Sequence, residues 1–198
     1  MDVAYKNLIY QLYSMDLSRK VKSARRTRNL SGEYTASFVC YGYKKDPDDK
    51  HKLIIDEEAA KVVRRIYQMV IDGMGSQAIA NQLTADNVLI PSAYLEQSEH
   101  GESRNHSYHD PCRWNCTAVA YILDKQEYMG HTVNFRSSKK SYRDKRVKNA
   151  PEDWLIFENT HEAIVDPETW HLAQQAKRTV RRTDTTGVAT PFTGLVFC

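Results

Sequence analysis

A chain of 198 residues, 41% hydrophobic and 27% charged, holds one ordinary core or two small ones joined by a linker, and its composition is that of a soluble globular protein. It contains no run approaching the roughly 18 consecutive apolar residues of a membrane span, and its N-terminus lacks the basic-then-apolar layout of a signal peptide; no membrane partner and a cytoplasmic location are expected. Four cysteines, Cys40, Cys112, Cys116 and Cys198, are spread too unevenly for a secreted disulfide framework, so reduced thiols are expected.

The formal net charge of +3 is modest, but its distribution is not even. Arg19, Lys20, Lys22, Arg25, Arg26 and Arg28 form one run without an acid. Arg136, Lys139, Lys140, Arg143, Lys145, Arg146 and Lys148 form a second around Asp144 alone, and Lys177, Arg178, Arg181 and Arg182 a third. Acids gather instead at Asp46, Asp48, Asp49 and Asp56 to Glu58. Any one run reads as a solvated surface; three segregated patches are what contact with a phosphate backbone requires.

In chain order, Tyr5, Leu8, Leu12 and Met15 make an apolar stripe at 3-4-3 spacing, which predicts a helix from Asp2 to about Arg28. Past Leu17 the stripe gives way to the first basic run, and Asn29, Ser31 and Gly32 mark the end. Such a helix packs against protein at one end and follows a phosphate backbone at the other. The segment Phe38–Tyr43 and the apolar residues Leu53 to Ile55, separated by a polar turn at Pro47, predict two short strands. Asp56 opens a helix through Val70 with Ala59, Val62, Val63, Ile66 and Tyr67 at helical spacing, ended by Gly73 and Gly75. Ser76 is expected to cap a short helix whose inward residues are Ile79, Ala80 and Leu83. From Pro91 to Pro111 the chain is polar and without periodicity, which predicts a long loop.

Asn115 is expected to cap a third helix, with Val119, Ile122 and Leu123 inward and Thr117, Ala118, Tyr121 and Lys125 outward. Thr132–Arg136 and Trp154–Phe157 read as the two strands of a β-ribbon whose tip is the second basic run. Asp166 and Pro167 begin a last helix carrying Trp170 and Ala173. Tyr43, Tyr67 and Tyr128 sit among apolar neighbours and are expected in the core. The resulting fold class is α+β: a mostly helical, winged helix-turn-helix-like domain with short strands and a β-ribbon, preceded by a long N-terminal linker helix. In domain terms, residues 1–30 are the helix and basic arm, 31–182 the DNA-binding domain and 183–198 a linker.

An α-helix fits the major groove with its N-terminal residues at base edges, while a cationic ribbon holds phosphates beside it. That geometry makes Arg113, Asn115, Thr117 and Tyr121 candidates for base or phosphate contact, with Ser76 and Gln77 on the preceding helix. Arg19, Lys22, Arg25, Arg26 and Arg28 on the arm and Lys139, Lys140, Arg143, Lys145 and Arg146 on the ribbon are candidates for phosphate contact. The cluster His106, His109, Cys112 and Cys116 suits zinc by residue type, but its spacings are shorter than in common zinc modules, and incidental residues in a polar loop are the favoured reading. Ser14 and Ser18 have no base motif beside them, and no catalytic residue is assigned.

These residues carry a resemblance. Lys6-Asn7-Leu8-Ile9, Asp16-Leu17-Ser18-Arg19-Lys20, Tyr41-Gly42-Tyr43, Ile55 to Ala60, Val63 to Tyr67, Ile79 to Leu83, Trp114 with Val119, Ile122-Leu123, Tyr128-Met129-Gly130 and His161 to Asp166 follow one another as in the recombinase domain of large serine recombinases. The resemblance covers almost the whole chain and is specific through the order and number of its blocks. It implies a phage integrase or transposon excision recombinase that cuts and rejoins double-stranded DNA through a phosphoserine, on a catalytic domain expected to precede Met1. It also implies self-association as a dimer, and a tetramer in the parent. A zinc-ribbon domain would begin near Phe192, with Cys198 similar to its first ligand; no cofactor is expected in this fragment itself. Two other readings are a stand-alone winged-helix transcription regulator and a protein interaction module built on the first helix.

Overall fold

The computed structural model describes residues 3–36, 38–97, 108–139 and 144–178. The first half holds α1 (Val3–Leu30), β1 (Tyr43–Lys45), β2 (Leu53–Ile55), α2 (Glu57–Ile71), α3 (Ser76–Ala85) and α4 (Pro91–Gln97). The second holds α5 (Cys116–Leu123), β3 (Thr132–Asn134), β4 (Ser137–Ser138), β5 (Val147–Lys148), β6 (Leu155–Phe157) and α6 (Pro167–Arg178). This is the expected mixed fold, with a long N-terminal helix, a helical core and short antiparallel strands.

The core forms around α2 because its apolar residues recur on more than one face. Ala59, Ala60, Val63, Ile66, Tyr67 and Val70 are all buried, and α2 packs on α6 as well as on the α3–α5 pair. Fully burying a side chain such as Ile66 stabilises the fold by about 1.5–3 kcal/mol. The expected inward residues of α3 and α5, Ile79, Ala80, Leu83, Val119, Ile122 and Leu123, all lie in this core.

Helix starts follow the sequence with two corrections. Asn115 caps α5 as expected, its side-chain oxygen accepting the Ala118 N–H at 2.7 Å. Asp166 caps α6 by accepting the Thr169 N–H at 2.8 Å, and Pro167 takes the first helical position. Ser76 does not cap α3: the Met74 N–H closes back onto the Met69 carbonyl at 2.9 Å, which leaves Gly75 in the extended cap position and Ser76 as the first helical residue. Asp56 stands before α2, but its carboxylate caps nothing; it accepts the Tyr94 hydroxyl at 2.9 Å.

Three other expectations change. Residues 38–42 are not a strand, since the Tyr43 N–H bonds back to the Cys40 carbonyl at 3.0 Å in a tight turn. The stretch after Pro91 is not loop throughout. Pro91 opens α4, Ala93 is buried, and Tyr94 sets its ring edge on Tyr41 at 5.6 Å; two inward residues hold a short helix that polar composition conceals. The ribbon comes in two sections. β3 pairs with β6 and β4 with β5, both antiparallel, and the ladder breaks between them at Phe135, whose φ is +60°.

Motif blocks far apart in sequence meet at one point. The Tyr43 ring stacks on Tyr128 at 6.1 Å. The Tyr128 hydroxyl donates to the Tyr41 carbonyl at 2.8 Å. The Tyr43 hydroxyl donates to the Glu162 carbonyl at 2.9 Å and accepts the Ile164 N–H at 3.2 Å. His161 sets its ring at right angles to Tyr43 and places Nε2 2.8 Å from the Glu127 carbonyl; because a carbonyl only accepts, Nε2 carries the proton. Burial pushes the phenols of Tyr43, Tyr67 and Tyr128 up, so they stay neutral donors, and all three are core residues as expected.

Candidate nucleic-acid interface

Helix α1 is exposed over nearly its whole length and is held by its C-terminal end. Gly32, at φ +82°, ends it, and the Glu33 N–H returns to the Arg28 carbonyl at 3.1 Å. A Cβ on Gly32 would lie 2.9 Å from the Phe157 ring, so the chain passes directly over β6. Asn134 on β3 donates to the Asn29 carbonyl at 3.0 Å, and the Thr35 hydroxyl donates to the Asn29 side chain. The Asn134 bond fastens the basic end of α1 to the ribbon.

The result is a cleft of about 1030 Å³ between the end of α1, α5 and the ribbon. Of the residues singled out in the sequence, it gathers Lys22, Arg25 and Arg26 from α1, Asn115 and Tyr121 from α5, and Lys139 and Arg146 from the ribbon. Lys125 and Arg136, the latter from the second basic run, also line it, and Glu127 is the one carboxylate that does so among the described residues. Tyr121 is 63% exposed and lies beneath the Lys125 ammonium, 4.5 Å from ring to nitrogen.

Other candidates fall elsewhere. Arg19, Arg28, Ser76, Gln77, Arg113, Thr117 and Lys145 do not line the cleft. Arg28 reaches Glu33 at 3.9 Å, and Gln77 donates to Asn81 at 3.0 Å. Arg113 and Thr117 are exposed beside the start of α5, and Lys145 is exposed on the ribbon. Lys140, Arg143, His106, Arg181, Arg182 and Cys198 lie outside the described residues. Lys177, in the third basic run, pairs with Asp124 at the end of α5. Among the described residues no group of three or more His, Cys, Asp or Glu side chains is arranged to hold a metal; Cys112 donates its thiol to the Asn87 carbonyl at 3.3 Å. No helix among them is long and apolar enough to cross a membrane.

Sequence reasoning missed the floor of the cleft. Lys125, expected to face outward, folds back past the end of α5, its ammonium 3.5 Å from Glu127. Arg136 reaches the same carboxylate at 3.0 Å and lies over the Trp154 ring at 5.0 Å. Glu127 itself is only 5% exposed. Burial opposes the Lys125 charge, but the neighbouring Cys40 thiol and Glu127 carboxylate outweigh it and raise its pKa. Burial pushes the Cys40 thiol up to about 11, and Glu127 is the carboxylate within ion-pair range of the ammonium. The available signal was a single acid in the turn between a helix and a basic ribbon, which composition does not separate from a solvated one.

A helical core, a β-ribbon facing α5 and a cationic cleft between them define a winged helix-turn-helix-like protein. More particularly, the chain belongs to the recombinase family: the family model described as Recombinase matches residues 57–180. The crystal structure of an LSR–DNA complex shares the fold, with a TM-score of 0.53 at 16% identity over 88% of this chain and 43% of that one. A second, solved for the sequence requirements of the Listeria innocua prophage attP site, aligns with a TM-score of 0.46 at 20% identity, over 81% of this chain and 52% of that one. The chain therefore spans less than half the length of the first of these. No curated protein matches it.

Proposed function

We propose that this chain is the duplex-DNA-binding part of a serine site-specific recombinase that integrates or excises a mobile element, with the phosphoserine chemistry carried by residues outside this sequence. The observation that carries the reading is the convergence of Lys22, Arg25 and Arg26 of α1 with Lys139 and Arg146 of the ribbon on one cleft. Membership of the recombinase family supports it, as does the fold shared with a protein solved as an LSR–DNA complex.

In this reading Arg25 and Arg26 hold phosphates, and the start of α5 meets base edges through Arg113, Asn115 and Thr117. Lys139, Lys145 and Arg146, with Lys140 and Arg143 of the same basic run, hold the flanking backbone. Self-association runs through α1, where Tyr5, Leu8, Leu12 and Met15 are all exposed. Zinc belongs to a ribbon domain of the parent that Cys198 would enter.

The test is selection from a mixed pool of duplexes at low and moderate salt, followed by sequencing of the retained DNA. An enriched motif, with affinity falling steeply as salt rises, is expected. No retention at either salt overturns the reading and leaves the interaction module.

A further inference from the structure

The cleft floor contains an arrangement that DNA binding alone does not require. Lys125 and Arg136 line a cationic cleft, yet both are turned onto a buried carboxylate, at 3.5 Å and 3.0 Å. Both cations have little exposed side-chain surface, 12% and 24%. Each also lies over an aromatic ring, Tyr121 for Lys125 and Trp154 for Arg136. The Arg136 Nε is buried with no hydrogen-bond partner, so this guanidinium is held by its Glu127 edge and by the ring rather than by a full set of acceptors. Lys125 follows α5 and Arg136 lies at the break between the two sections of the ribbon, so one carboxylate ties the two walls of the cleft together.

We propose that Glu127 is an internal counter-ion that withholds Lys125 and Arg136 from the phosphate backbone and fixes the ribbon against α5. The floor then carries less positive charge than its lining residues suggest, which holds down binding to DNA of arbitrary sequence, where phosphate contacts supply essentially all the affinity. Glu127 is a positioning residue in this account. The proposal rests on the reading of the cleft as a duplex-DNA interface.

The measurement is the slope of log affinity against log salt on a random-sequence duplex, for the full chain and its variants, each checked for a cooperative thermal transition. Lys125→Met and Arg136→Met, each leaving Glu127 one partner, are expected to leave the slope unchanged. Glu127→Gln is expected to steepen it by about 0.9 per released cation, roughly 3.5-fold in affinity across a fourfold change of salt. Should a methionine variant not fold, Lys125→Gln, which keeps a donor to Glu127, gives the same reading. A slope that falls by about 0.9 in Lys125→Met, Lys125→Gln or Arg136→Met overturns the proposal, because that cation then contacts phosphate in the wild type. So does an unchanged slope in folded Glu127→Gln. A wild type that shows no salt-dependent binding overturns the underlying DNA reading instead, whereas an Arg25→Ala loss of slope alongside an equal Lys125→Met loss removes the counter-ion role alone.

Discussion

At the scale of single residues, the cleft divides its side chains by what they are already bonded to. Arg25 reaches the Thr35 carbonyl at 3.5 Å, through one of its several donors, and keeps the others for an anion. Asn115 is more constrained. Its side-chain oxygen is committed to the α5 cap, so only its amide hydrogens can serve a ligand, and the two-point contact that asparagine makes with adenine would require giving up the cap. Arg113 and Thr117, exposed on either side of it, carry no such commitment to the cap. Replacing Arg25 or Arg26 with Ala is expected to weaken binding on every duplex and lower the salt slope by about 0.9 each. Replacing Arg113 or Thr117 is expected to change which sequence a selection recovers. Equal losses on specific and random duplexes for this second pair would remove α5 from base reading. The basic runs and the Asn115 cap were legible because charge and capping chemistry are local; the partners of Glu127 were not, because its role depends on a contact between a turn and a ribbon nine residues further on.

At the scale of elements, the turns matter as much as the helices. Gly130 follows Tyr128 and Met129 with φ +84°, and a Cβ there would stand 2.6 Å from the His161 carbonyl oxygen. Both the backbone conformation and the space demand glycine, so Gly130→Ala is expected to cost about 2–4 kcal/mol. Gly75→Ser is the control: nothing lies within 4 Å of that position, and serine at a helix cap is expected to be neutral or stabilising by a few tenths of a kcal/mol. Denaturant midpoints of the two variants separate these outcomes. Amphipathic periodicity exposed α2, α3, α5 and α6 in the sequence, since each turns a repeated apolar face inward. Seven-residue α4 offers too few positions for a period to show. The break at Phe135 was hidden because a positive φ at an aromatic residue is imposed by its surroundings, here by the Asn149 amide donating to the Phe135 carbonyl at 2.6 Å.

At the scale of the whole molecule, one element stands apart from the core. The 28 residues of α1 extend roughly 42 Å, with Leu8, Leu12 and Met15 about half exposed. Exposed side chains of that size along one helix are the usual mark of a surface that another chain covers. Leu8→Lys with Leu12→Lys is expected to leave thermal stability unchanged and to abolish concentration-dependent self-association in sedimentation equilibrium. A chain that stays monomeric at every concentration before the change would refute the pairing. The family was legible because its blocks of residues serve the fold: Tyr41 to Tyr43, Tyr128 to Gly130 and His161 to Asp166 interlock where Tyr43 stacks on Tyr128. The cleft was not, because it forms only once α1 is fastened over β6.

The spacing of α1 continues past its apolar half. Tyr5, Leu8, Leu12 and Met15 are followed at the same alternating intervals by Arg19, Lys22 and Arg26, and at about 100° per residue all seven fall within a single sector of the helix about 100° wide. Because Lys22 and Arg26 border the cleft, a partner covering the apolar half approaches from the same side as whatever enters the cleft. Were both surfaces occupied, the two occupants would lie end to end along one face with a boundary near Leu17, so α1 would set their order and spacing like the divisions of a ruler; one added residue at that boundary would turn them out of phase by a quarter of a revolution or more.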